Sequence, residues 1–332
     1  MNKRFTTPEH VLNKHGHPNP GWASEGILKY KRSAIKAPPW RIKEWDWYQV
    51  SDNHKALQFT FGHAAYAGQI GIMLFDFEKG EHIFTYDKML ILPFGSLKLE
   101  ENADEDGVLK YDKGGMFMHF ENNGGTRTLT ARCKDFEAEV VLKRENPHAM
   151  VLNVPFHEKQ TAFYYNHKIS CMTATGRAIC KGEEYSFNED AWGLLDWGRG
   201  VWPFSNEWYW SSASGRLNGE VFGFNLGCGF GNTANATENC FFYQNDIHKL
   251  GVVKIETGPT YMDDWHLYDT EGRVDLTLKP MYDRETATKL LWVDNNTHQM
   301  FGKFSGTCKL DDGTELKVEN ITGFAEHAVN NW

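Results

Sequence analysis

The residues whose types and spacing suit chemistry gather between Glu189 and Leu250, in EDAWGLLDWGRGVWPFSNEWYWSSASGRLNGEVFGFNLGCGFGNTANATENCFFYQNDIHKL. Two carboxylates, Asp196 and Glu238, and one imidazole, His248, can move protons if burial brings their pKa values toward a working range. Asp196 and Arg199 lie three residues apart in DWGRG. Two glycines permit a sharp turn there, so a bidentate carboxylate–guanidinium pair that orients both groups is expected. On this reading Asp196 or Glu238 is the proton donor and His248 the partner base. Arg199 orients a substrate carboxylate, and Asn225, with Asn239 nearby, binds a substrate oxygen. Trp208, Tyr209 and Trp210 bound an apolar pocket, where aromatic faces exclude water and stabilise developing positive charge. The same residues are equally suited to a hydrogen-bond network that holds a loop in place.

Strands must position these groups. In EVFGFNLGCGF, alternation puts Phe222, Phe224, Leu226, Cys228 and Phe230 on one face and Val221, Gly223, Asn225, Gly227 and Gly229 on the other. The second face is nearly bare. Glycine weakens a strand, so repeated glycine there requires either another backbone packed closely or an open cavity. Trp208 and Trp210 share a face, with Tyr209 opposite. Period-two alternation recurs along the chain, in ALQFTF, QIGIMLFDF and VDLTL, and helical periodicity is scarce. Short turns join such runs at Glu78-Lys79-Gly80-Glu81, Asn245-Asp246, Glu271-Gly272 and Asp312-Gly313, the last being a strong hairpin signal. The expected fold is therefore all-β and mostly antiparallel, in two packed barrels or sandwiches. Asn146-Pro147 and Pro155 interrupt the pattern, which divides the chain into an N-terminal β domain (1–155) and a C-terminal β domain (156–332).

Several functions are disfavoured. A net charge of −9 disfavours nonspecific binding to nucleic acid or to an anionic membrane. The basic stretch KYKRSAIK, Lys29 to Lys36, reads as a solvated arm. The N-terminal stretch has no apolar core of a signal peptide, and no run is long enough for a transmembrane helix, so a cytoplasmic protein is expected. Six cysteines without a CxxC pair read as reduced, mostly buried thiols. There is no dinucleotide fingerprint, P-loop, GxSxG or HExxH. HGH at His15–His17 is a weak metal signal, and no metal site or cofactor is expected.

DWGRG, WYWSSASG, GFNLGCGFG, TEN and HKL together resemble the bacterial domain-of-unknown-function 2804 family. The resemblance continues through HGHPNPGWA and KEWDWYQV at the start and FGKFSGTCKLDDGTELKV and GFAEHAVNNW at the end. It implies a more distant likeness to the paired lipocalin-like barrels of carotenoid hydratases, tocopherol cyclases and fungal Diels–Alder cyclases. Those act on apolar substrates without redox cofactors, in a pocket near the domain interface. The implied function is a cofactor-independent lyase, hydratase or isomerase/cyclase acting on a hydrophobic or partly glycosylated small molecule. The alternatives are a passive carrier of an apolar ligand and a carbohydrate-active protein using paired carboxylates.

Overall fold

The structure, a computed structural model, describes residues 3–64, 66–91, 97–290 and 293–331. Among them there is no α-helix. Two short 3-10 turns, Arg32–Ala34 and Pro39–Arg41, interrupt a chain of strands. A thirteen-stranded sheet holds the first half. Its main path runs from Glu81–Ile91 through Ala67–Asp76, Lys55–His63, Lys43–Ser51, Trp192–Val201 and Phe163–Cys180, and on to Gly107–Lys113. A nine-stranded sheet holds the second half, with Ser205–Leu217 beside Glu315–Asn331 at its middle. Neighbours within both large sheets pair antiparallel where the register is resolved, as the alternating pattern and tight turns predicted.

Both sheets curl into half-barrels. In the second, the two edge strands are Asp246–Lys249 and Val253–Thr257. They are consecutive in the chain, so a short connection must join opposite edges, which only a curled sheet allows. In the first, Phe84 stacks on Phe136 with centroids 4.2 Å apart, although their strands are far apart along the sheet path. Tyr48, Phe59 and Phe61 meet Phe120 across the enclosed core. One face of each central strand fills its own half-barrel. The opposite face packs against the other half-barrel, with Leu152, Tyr164 and Trp202 meeting Val221, Cys240 and Phe242. Phe75 and Leu194 likewise meet Trp210, Phe301 and Phe324.

Two sequence expectations need correction. The chain passes from the first sheet to the second between Val201 and Ser205, not near residue 155, because Phe163–Cys180 and Trp192–Val201 pair with strands of the N-terminal half. Pro155 ends the strand Met150–Pro155 without ending the sheet. The basic stretch from Lys29 is not a free arm. Tyr30 and Ile35 are buried, and Arg32 forms an ion pair with Glu44. All six cysteines are free thiols, and Cys171, Cys180, Cys240 and Cys308 are buried. No helix of the described residues is long and apolar enough to cross a membrane.

Candidate functional site

A buried polar layer lies between the two half-barrels. Strand alternation sends Asn166 and Lys168 out of the first sheet, while their neighbours Tyr165 and Ile169 fill its interior. By the same rule Asp196 faces outward while Leu195 and Trp197 face inward. From the second sheet, Trp208 and Trp210 face the layer, and Asn225 faces it from the adjacent strand. Asp196 is 8% exposed. Its carboxylate accepts a hydrogen bond from Asn166 Nδ2 at 2.6 Å and one from Trp45 Nε1 at 3.1 Å. Burial raises its pKa; the ammonium of Lys168 opposes this and the carboxylate of Glu238 adds to it. The two donors and Lys168 favour the charged form, yet the loss of hydration outweighs them.

Lys168 Nζ sits 2.8 Å from Glu238 Oε2 and 3.7 Å from the centre of the Trp210 ring. Asn225 completes the group. Its Oδ1 accepts from Trp210 Nε1 at 2.8 Å, and its Nδ2 donates to Glu238 Oε2 at 3.0 Å. Asn225 thus holds Glu238 and Trp210 in place, and its polar atoms are engaged. Beyond it, Trp208 Nε1 donates to Glu326 Oε1 at 2.9 Å, and Gln299 donates to the other oxygen of Glu326. Burial raises the pKa of Glu326 too, against the bond from Trp208 and the charge of Arg284. Trp45, Trp47, Trp208 and Glu238 face this layer and yet are only half-buried.

The structure brings Asp196, Glu238, Asn225, Trp208 and Trp210 into one layer and takes the other candidates elsewhere. Arg199 is three residues from Asp196 on an extended strand, so it points to the opposite side of the sheet. It is fully buried in the N-terminal half-barrel, 2.7 Å from Asp46 and with Trp45 and Glu100 carbonyls accepting its other protons. The expected Asp196–Arg199 pair does not form, because DWGRG is not a turn but part of Trp192–Val201. His248 does not partner Asp196 or Glu238. Its Nδ1 lies 3.3 Å from Asp311 Oδ2, and its ring stacks on Phe241. Asn239 holds backbone, accepting from Gly227 N and donating to the Gly251 carbonyl. Tyr209 faces the C-terminal half-barrel and stacks on His327. The bare glycine face is filled rather than open. A Cβ at Gly223 would lie 2.5 Å from Cys171 Sγ, and one at Gly227 would overlap the Glu238 carboxylate.

Sequence reasoning missed Lys168, Asn166, Trp45, Trp47 and Glu326. A lysine in the otherwise buried run of Phe163–Cys180 was the available signal, because an ammonium enters such a strand only with a partner. No group of three or more metal-ligating side chains converges among the described residues. A groove of about 670 Å³ lies nearby between the halves, lined by Gln49, Asp52, Asp190, Trp192, Ser212 and Phe324 among others. None of the site residues expected from the sequence lines it. It adjoins the polar layer through Leu194, on the same strand face as Asp196, and through Gln49, which accepts from Gln58, itself a donor to Gln299.

Comparison with known proteins agrees with the fold. A solved protein of Nitrosomonas europaea, provisionally assigned as AttH, superposes with a TM-score of 0.55 at 14% identity, covering 86% of this chain and 91% of that one. Kievitone hydratase from Nectria haematococca superposes with a TM-score of 0.55 at 10% identity, covering 93% of this chain and 97% of that one. At such identities the likeness is one of fold. No curated protein matches by sequence. Residues 2–332 match the family described as a domain of unknown function, DUF2804. With its whole length matched and its paired half-barrels shared with those solved structures, the chain belongs to the DUF2804 family.

Proposed function

We propose that the layer between the half-barrels is a cofactor-independent acid–base active site of hydratase or isomerase type, acting on a small, largely apolar molecule. The observation that carries this reading is Asp196. It is a carboxyl whose pKa is raised by burial, fixed by Asn166 and Trp45, and set beside indole rings. A carboxylic acid of raised pKa in an aromatic, poorly hydrated site is suited to protonating a weakly basic carbon. Asp196 would give its proton to one carbon of a double bond, and the cation on the other carbon would be stabilised by the face of Trp47. In hydration, water would attack that cation and pass a proton to Glu238, which Lys168 holds beside it. The proton would then return to Asp196. In isomerisation, loss of a neighbouring C–H proton would replace the attack of water. That one structurally similar protein is a hydratase by name is compatible with this chemistry. The polar groove suits a glycosyl or other hydroxylated substituent of the substrate.

The test is incubation in ¹⁸O-labelled or deuterated water with a panel of isoprenoid and aryl alkenes, read by mass spectrometry. Wild type should incorporate label, and Asp196→Asn should lower the rate by about 100-fold or more with its melting temperature preserved. Label incorporation at the wild-type rate by Asp196→Asn would remove Asp196 from the mechanism.

A further inference from the structure

A second constellation of proton-transfer groups lies at one end of the C-terminal half-barrel, on the strand face turned away from Asp196. Cross-strand register aligns Tyr209, His327 and His298 in one row over three neighbouring strands. The Tyr209 and His327 rings stack at 4.2 Å and 3°. Tyr261 comes from the turn between Val253–Thr257 and Trp265–Asp269. That turn is fixed by Asp263, which accepts from Thr260 N and Oγ1, and by Trp265 Nε1 donating to the Tyr261 carbonyl. The Tyr261 ring stacks on His298 at 3.9 Å, and His298 Nδ1 lies 2.8 Å from Asp283. The Tyr261 hydroxyl lies 2.7 Å from His327 Nδ1, and His327 Nε2 lies 2.7 Å from Glu207 Oε1. An ionised carboxylate only accepts, so Nε2 carries the proton and Nδ1 accepts from the hydroxyl. This is the carboxylate–imidazole–hydroxyl chain by which a weak nucleophile is activated.

We propose that Tyr261 is the reactive hydroxyl of a second acid–base centre, relayed through His327 to Glu207, and that it takes a proton from a cationic hydroxyl-bearing small molecule. The ligand's hydroxyl proton passes to Tyr261 Oη as the phenol proton passes to His327 Nδ1, leaving a ligand of no net charge, its oxyanion balanced by its own cationic group, and an imidazolium against Glu207. Charge sets the ligand class. The groups around His327 and Tyr261 are Glu207 and Tyr209 from one strand, His298 from another, Asp283 and Glu285 from a third, and Trp265 beside the turn. Three carboxylates repel an anion, while the rings accept an aromatic or cationic group. Burial, then Asp283, Glu207 and Glu285, keep the free phenol protonated, so transfer to His327 must accompany ligand deprotonation.

Aryl sulfonyl fluorides report such a hydroxyl directly: the Oη–S bond forms, S–F breaks, fluoride leaves and the proton goes to His327. Aminoethyl-benzenesulfonyl fluoride and its carboxylated analogue would be reacted with the folded protein and the labelled tyrosines mapped by mass spectrometry. Tyr268, which donates to Glu256, is the internal reference. Tyr261 should label about 100-fold faster than Tyr268, faster with the cationic reagent, and with a rise against pH that vanishes in His327→Phe. Glu207 is exposed, so Glu207→Gln tests the relay even if His327→Phe fails to fold, and it should slow labelling of Tyr261 alone. Labelling of Tyr261 no faster than Tyr268, or unchanged in Glu207→Gln, overturns the proposal. None of these outcomes depends on Asp196.

Discussion

Single residues in the polar layer carry more than their share of stability because their partners have little water to turn to. Lys168 is 3% exposed and meets Glu238 at 2.8 Å beneath the Trp210 ring. Removing only one member of such a pair leaves a buried charge uncompensated, a cost of about 3–5 kcal/mol. Lys168→Met should therefore destabilise by about that amount in urea titrations, whereas Lys168→Met combined with Glu238→Gln should recover most of it. A double variant no more stable than the single one would mean that the pair is not the relevant unit. Asn225 is fixed by the same logic. Both ends of its amide are engaged, so its role is to orient Glu238 and Trp210.

At the scale of elements, the glycine-bearing face of Glu220–Cys228 shows how one strand serves two packing layers. Phe222, Phe224 and Leu226 fill the C-terminal half-barrel. Gly223 and Gly227, on the opposite face, let Cys171 and Glu238 come close. Gly227→Ala would push the Glu238 carboxylate off Asn225 and Lys168. It should cost about 1–3 kcal/mol, as overpacking does. Gly219→Ala, where an added methyl meets nothing within 4 Å, provides the contrast: only its left-handed turn conformation opposes it. Equal losses for the two in denaturant melts would refute the packing explanation for Gly227.

At the scale of the whole molecule, buried titratable groups in both half-barrels set the pH response. His167 lies inside the N-terminal half-barrel, and burial first of all lowers its pKa from 6.5 to about 4, with Asp104 opposing and Arg144 and Arg127 assisting. The unfolded chain binds this proton between pH 6.5 and 4 and the folded chain does not. Stability from this group therefore falls as pH drops through that window, by up to about 3 kcal/mol. Asp46, Asp196 and Glu326 act oppositely. Their folded pKa values are raised by burial, so they lose stability as pH rises above the ordinary carboxyl range. Subtracting the stability of His167→Gln from that of wild type at pH 4.5 and at pH 7 isolates the histidine. The difference should be smaller at the acid end, and a difference independent of pH would contradict a buried neutral imidazole.

The sequence by itself determined the all-β class, the hairpins at Asp312-Gly313 and Glu271-Gly272, and the facing of Trp208 and Trp210 against Tyr209. Each follows from local rules: side chains alternate along a strand, and tight turns need particular residues. It also marked Asp196, Glu238 and Asn225 as neighbours of interest. Only the tertiary structure decided which groups meet. Asp196 and Arg199 are close in sequence but separated by a sheet, while Lys168 and Glu238 are 70 residues apart and in contact. Likewise Glu207, Tyr261 and His327 come from three segments that nothing local connects. Facing is a property of a strand, whereas partnership depends on how sheets curl and which backs they press together, and that is set by the whole chain.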